Sequence, residues 1–230
     1  MCSSDLFAAL SDTQMTTLTA PQIAGLSAEQ IGSVTSTEIQ AFTTTQLGAL
    51  TGTQLGGLTV AALEFFSTDQ VSALSSGQVQ GLTTDHLNEI SVDLLDALDL
   101  SAFSNAQISG LTTTSVANLT VTQVAALTAT QVPALSVDQL AALDVTEFGN
   151  FNADQAGALT STQVASLSTT YFTALSATTA IPALSTEAIA GISVEDIEAL
   201  TFEQASGFVQ TQIDVMDVDQ VAALVAVLTS

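Results

Sequence analysis

An apolar residue returns at every eighth position along most of this chain. From Leu10 the sequence reads LSDTQMTT, LTAPQIAG, LSAEQIGS, VTSTEIQA, FTTTQLGA and LTGTQLGG, and the consensus octad is L-[ST]-x-x-Q-[VIL]-x-[AG]. Position one falls at Cys2, Leu10 and every eighth residue to Leu98, resumes at Phe103 and runs to Leu175, then resumes at Leu184 and runs to Leu224. Two steps break the period: five residues from Leu98 to Phe103, and nine from Leu175 to Leu184. Position one is apolar in all 29 units, and position two is Ser, Thr, Asp or Asn in 27, with only Val209 and Val225 departing. Position five is Gln or Glu in 18 units. No shift in composition divides the array, so the expected organisation is one continuous solenoid over residues 1–230, with phase breaks near 98–103 and 175–184.

The period excludes long regular elements. In a continuous helix each octad rotates the apolar pattern by about 80°, so no stripe forms. In a continuous strand positions one and six point to opposite faces. The chain therefore turns once per octad. Position two and position five form the capping box S/T-x-x-E/Q, as in Thr19 with Gln22, Ser27 with Gln30 and Thr128 with Gln131. Positions one and six are then the hydrophobic staple pair. Glycine recurs at positions seven and eight (Gly25, Gly48, Gly56, Gly57, Gly81, Gly110), where it is expected to end a helix. Pro21 suits a first helical turn, whereas Pro133 and Pro182 require the helix to be ending. The expected fold class is all-α: a solenoid of very short capped helices, one per octad, stabilised by stacking on its neighbours. A β-solenoid with sixteen residues per coil is the alternative, which the Thr and Val content suits. In the helical reading Leu50, Leu58, Leu74, Leu127 and Leu135 are buried with Leu55, Val71, Val124 and Val132. Thr44 and Ser161, both at position three, face solvent.

Composition narrows the functions. The 230 residues are 47% apolar, only 10% charged, and carry 23 Asp and Glu with no Lys or Arg. A nucleic-acid partner is excluded, because no cation is present to neutralise phosphates. Arginine clamps, Schiff-base lysines and P-loop lysines are excluded with it. One His and one Cys make neither a Cys/His zinc site nor an internal disulfide. No run of 18 apolar residues exists, so no membrane span is expected. The start, Met1 to Asp5, has neither the positive nor the apolar region of a signal peptide.

The candidate chemistry is sparse. His86, with Asp85 and Glu89, is a candidate metal or acid–base site, but it sits at position five and reads as a substitute for the capping Gln. Cys2 reads as a small core residue rather than a lipid anchor or disulfide partner. Acidic residues gather at Asp85, Glu89, Asp93, Asp96 and Asp99, at Glu195, Asp196, Glu198 and Glu203, and at Asp214, Asp217 and Asp219. They read as a solvated face, with Asp99, Asp144 and Asp217 standing in as helix N-caps. Weak, diffuse binding of divalent cations is expected at this net charge. Asn118-Leu119-Thr120 fits a glycosylation sequon, but Thr120 already serves as a cap. No catalytic, cofactor-binding or metal-ligating residue is assigned, and no enzyme activity is expected.

The octads LTATQVPA, LTSTQVAS, LTTTSVAN and LTVTQVAA resemble the Leu-Thr-x-x-Gln-Val-x-Ala arrays of very large secreted or surface proteins of Gram-negative bacteria, often labelled adhesin-like. The resemblance covers essentially the whole chain and implies an extracellular or cell-surface stalk or filament-forming segment. Its motif carries no catalytic residue. The net charge of −23 suits a soluble surface in a salty exterior, where self-repulsion is screened. A second reading is a binding module that recognises a glycan or protein through Thr, Ser and Gln rows on one face. The repeat phase begins at Cys2, and Leu224 to Ser230 start a cycle that is then cut off. This implies end-to-end self-association or continuation into a longer array, burying Cys2, Leu6 and Phe7 at one end and Val221, Leu224, Val225, Val227 and Leu228 at the other.

Overall fold

A computed structural model describes residues 11–230. Among the described residues the protein is built of short helices and contains no strand, so the all-α solenoid is what forms and the β-solenoid is not. Most α-helices are four to six residues long, one per octad, from Asp12–Thr16 to Gln210–Ile213. Cys2, Leu6 and Phe7 lie outside the described residues.

Each helix starts where the sequence places its cap. Thr51 is extended (φ −77°, ψ 159°), its hydroxyl accepts from the Gln54 N–H at 3.2 Å, and its own N–H donates to Gln54 Oε1 at 2.7 Å. The same reciprocal pair recurs at Ser27 and Gln30, Ser136 and Gln139, and Thr160 and Gln163. Capping satisfies amides at the start of a helix, which a helix this short otherwise leaves to water. The chain leaves the helix through a right-handed residue and passes into extended backbone before the next cap, as at Phe42 and Leu111.

Helices do end at the expected glycines, with Gly25 and Gly56 as C-caps and Gly48 and Gly110 as last helical residues, and they end without a left-handed residue. No described residue, glycine or other, has a positive φ. What several of them supply is closeness: a Cβ on Gly52 would collide with the Gly77 carbonyl, and one on Gly56 with that of Gly81. These helices lie three octads apart and pack backbone to backbone.

Two compact units divide the chain, residues up to Leu111 and residues from Thr112. In both, an octad packs against the octad three places along; Ala28–Gly32 lies on Gly52–Leu55, and Thr186–Ile189 on Gln210–Ile213. Hydrogen bonds between coils span 28 and 31 residues, as from Gln54 to Leu26 and Ile23. An octad bonded in this way straddles the junction of the octads three and four places before it, so a coil takes between three and four octads.

The core follows the octad phase. Among the described residues no position-one side chain is exposed. Leu50, Leu58, Leu127 and Leu135 are buried with Leu55, Val71, Val124 and Val132, and Thr44 is exposed. Two expectations need correction. Leu74 is only half-buried; the residue 28 places on, Ala102, lies in the octad shortened by the five-residue step. Leu74 also borders a void of about 10 Å³ lined by apolar side chains including Phe66, Leu82 and Leu94. Ser161 is half-buried rather than open to solvent, because the backbone of Gly191 approaches its carbonyl closely.

In the first unit the five-residue step becomes a single 3₁₀ turn, Leu100–Ala102, capped by Asp99, whose carboxylate accepts from the Ser101 N–H at 3.0 Å. Leu98, Leu100 and Phe103 all stay buried, so the turn restores the phase. In the second unit the nine-residue step is absorbed where the Ile181 N–H donates to the Ser176 carbonyl, five residues back, at 3.0 Å. Pro133 and Pro182 both sit in 3₁₀ helices, Val132–Ala134 and Ile181–Ala183, which replace the α-helices of their octads.

The last helix departs from the rule. Val218–Thr229 runs 12 residues without a break at Leu224, so the expected new cycle does not form there. Val225 has no side-chain acceptor at position two, and Leu228 has no amide at position five. Nothing stops the helix, and it continues.

Candidate functional site

The one chemically distinctive set of residues in this protein is the column of position-five side chains. Every buried polar or charged residue among the described residues occupies that position, from Gln46 and Gln54 to Gln212 and Gln220. Burying an amide without partners costs roughly 1–3 kcal/mol, so each must be bonded.

The same bonding recurs at Gln54, Gln78, Gln155, Gln163, Gln212 and Gln220. Oε1 accepts from the N-cap N–H inside the octad. Nε2 turns the other way and donates to two carbonyls of the preceding coil: Gln54 to Ile23 and Leu26 at 2.8 and 2.7 Å, Gln163 to Val132 and Leu135 at 2.9 and 2.8 Å, Gln220 to Ile189 and Ile192 at 2.9 and 2.7 Å. Those carbonyls belong to positions six and one, at and just past a helix end, where the bonding of the helix itself runs out; the position-six carbonyl already accepts from the position-one N–H, as Ile23 does from Leu26 at 3.1 Å, and the glutamine adds a second donor. One glutamine therefore closes the start of its own helix and the end of another. Only an amide supplies an acceptor and two donors at one side-chain tip.

Substitutions within the column show which half each side chain can keep. His86 holds both. Its Nδ1 accepts from the Thr83 N–H at 3.2 Å and its Nε2 meets the Leu58 carbonyl at 2.9 Å, an arrangement that requires the proton on Nε2. Asp85 and Glu89 are exposed while His86 is buried, so the three do not converge. Tyr171 keeps the link between coils, donating through its hydroxyl towards Leu143 and Ala141 at 2.8 and 3.0 Å, and its ring stands edge-on to Phe148 at 5.6 Å. Glu38 and Glu147 keep the cap alone, and both are half-buried rather than buried. At Leu94 neither half survives, and the Ser91 N–H is instead met by the Glu64 carboxylate of the preceding coil.

The acidic residues are dispersed. Among the described residues no group of three His, Cys, Asp or Glu side chains lies close enough to hold a metal ion. Asp144 and Asp217 cap helices, accepting from Thr146 at 2.7 Å and Gln220 at 2.8 Å. The hydrogen bonds from Thr146 hold the Asp144 carboxyl below its ordinary range. Asp96 is the exception: its Oδ1 is shielded from water with no partner. Burial, then the neighbouring charge of Asp93, push its carboxyl above the ordinary value. Asn118 is exposed, and Thr120 is bonded to Gln123 as a cap.

The capping half of the column was readable from spacing; the half that joins coils was not. One signal pointed to it. A capping box accepts Glu as readily as Gln, yet in this acid-rich chain 16 of the 18 Gln and Glu residues at position five are Gln. A requirement for a donor explains the imbalance.

Among the described residues no helix is long and apolar enough to cross a membrane. A search of curated proteins returns no match. Read from position eight, octads in the first unit give ALTGTQ at 49–54 and ALSSGQ at 73–78; in keeping with this, residues 52–84 match the ALTTAQ repeat family model, and that stretch is similar to ALTTAQ repeats.

Proposed function

We propose that this chain is a non-enzymatic structural segment, an extracellular stalk or filament-forming part of an adhesin-like bacterial surface protein. One observation carries the reading: the buried polar side chains all stand at position five, where the glutamines close a helix cap and bond to the preceding coil. A repeat that places the same bond at every step makes a scaffold that extends by adding octads, with stability set by nearest neighbours. The resemblance of the octads to bacterial surface arrays supports the location, as does an acidic surface that stays soluble in salt.

Immunogold electron microscopy of intact source cells tests the location. Label outside the envelope, spaced from the membrane, is the expected result. Label confined to the cell interior would overturn it.

A further inference from the structure

Links between coils are unevenly distributed inside the second unit. Gln155, Gln163 and Tyr171, in three successive octads, donate to the coil before them, and Gln204, Gln212 and Gln220 do the same in three successive octads further on. The three octads between them have no such donor. Thr179 is exposed, and Ala180, which the nine-residue step brings into its place, is buried. Ala188 ends in a methyl group. Asp196 is buried, but its carboxylate only accepts, from the Ser193 hydroxyl at 2.6 Å. By the register of the linked rungs, these three octads face the carbonyl pairs Phe148 with Phe151, Ala156 with Leu159, and Val164 with Leu167. The position-six member of each pair accepts from the position-one N–H, as Ala156 does from Leu159 at 3.2 Å, and no side chain of the following coil bonds to either member. Here Ala153–Gly157 lies on Ile181–Ala183 and Ser161–Ser166 on Thr186–Ile189. The junction is held by apolar side chains and by close backbone approach at Gly157 and Gly191, which face the Ala183 and Ser161 carbonyls. An open groove of about 530 Å³, lined by Ala129, Ala153, Asp154, Gly157, Ala158 and Ala183, borders it.

We propose that this junction is a hinge, at which the coil of residues 175–199 parts from the coil of residues 143–167 before either parts from its other neighbour. In an array whose stability is a sum of nearest-neighbour terms, opening starts at the junction with the fewest bonds. A single gap in the column, as at Glu147, has the linked rung of Gln155 beside it. Three gaps in succession span nearly a whole coil, so no amide holds one part of the junction while another opens. The hinge gives the scaffold one place to bend or extend while the short helices on either side stay folded. It follows from the bonding inside the second unit and holds wherever the chain resides.

Position-seven residues Ala141, Ala165, Ala190 and Asp214 are exposed and stand three octads apart. In a Cys2→Ser background, the pairs Ala141→Cys/Ala165→Cys, Ala165→Cys/Ala190→Cys and Ala190→Cys/Asp214→Cys, each carrying two nitroxides, report the three junctions in turn. Spin–spin broadening is followed through urea, with circular dichroism on the same samples. At urea concentrations that leave helicity unchanged, the central pair is expected to lose its broadening while the two outer pairs keep theirs. Equal broadening in all three pairs until helicity is lost overturns the proposal, as does an outer pair that opens first. Two variants then test the cause. Asp196→Gln supplies an amide beside the Ser193 cap and is expected to raise the urea needed to part the central pair. Gln212→Asp leaves the next junction with an acceptor only and is expected to loosen the pair at Ala190 and Asp214. Opening that Asp196→Gln does not delay and Gln212→Asp does not reproduce would refute the part assigned to the amides. None of these results bears on the surface location, which the immunogold label decides separately.

Discussion

Two octads carry valine at position two, where a hydroxyl is expected, and they fold differently. At Val209 the chain still breaks: the residue is extended (φ −92°, ψ 160°), and its N–H donates to Gln212 Oε1 at 2.9 Å. At Val225 the chain does not break, and the helix runs on to Thr229. The difference lies three residues downstream, where Val209 is followed by Gln212 and Val225 by Leu228. The complementary case is Thr59, where Ala62 replaces the glutamine and the hydroxyl alone, accepting from the Ala62 N–H at 3.2 Å, keeps the break. Either half of the capping box is enough to stop one helix and start another. Where position two has no hydroxyl and position five no amide, as at Val225, the intrinsic continuity of the helix prevails, because each added residue gains a hydrogen bond once the first turn exists; at Ser91 and Ser168, whose hydroxyls make no cap bond, the break survives.

Substitutions break or sharpen this comparison. The largest effect is expected from Gln163→Glu. It keeps the cap and replaces the donor to Val132 and Leu135 with a buried, unpaired charge; a loss of about 3–5 kcal/mol in urea-unfolding free energy is expected. A loss under about 1 kcal/mol would mean that coil-to-coil bonding contributes little. Leu127→Ala leaves the capping pattern intact and removes core volume instead, with an expected cost of about 2–5 kcal/mol by the same measurement.

Gln212→Leu turns the Val209 octad into a copy of the Val225 octad. It removes the remaining half box and leaves the Ile181 and Leu184 carbonyls without their donor, at a cost of about 2–3 kcal/mol. Amide hydrogen exchange should then show protection running through Phe208 and Val209; a retained break would refute the two-half rule. The converse, Val225→Ser with Leu228→Gln, should install a break in the last helix, read as faster exchange near Leu224, with a stability change of about 1 kcal/mol or less.

The smallest effect concerns Asp96. Its carboxyl is raised from 3.8, so the folded state holds that proton more firmly than the unfolded chain. Its contribution is therefore most favourable below the ordinary carboxylate range and is lost as pH rises through the folded value. Asp96→Asn should stabilise the protein at neutral pH, by about 0.5 kcal/mol or less, and the gain should fade on acidification through the ordinary carboxylate range. A gain that grows with acid would contradict this assignment.

Local features were legible because octads carry them within themselves. Thr160 and Gln163 are three residues apart, so their reciprocal bonds follow from spacing alone, and the alternation of positions one and six marks the buried residues. The role of His86 as a glutamine substitute was equally readable. The close-packing role of the glycines was not. Helix ends and close packing both favour the residue, and only the neighbouring coil shows that Gly52 faces the Gly77 backbone. The 12-residue helix was missed because the octad phase at Leu224 is intact while its two capping positions are not.

The sequence by itself determined that the chain turns every eight residues, which side chains cap and which are buried, because those outcomes depend on bonds formed within one octad. Only the tertiary structure decided how many octads make a coil and why position five is glutamine rather than glutamate. Those depend on carbonyls 28 and 31 residues away, and nothing in one octad states which other octad will lie against it.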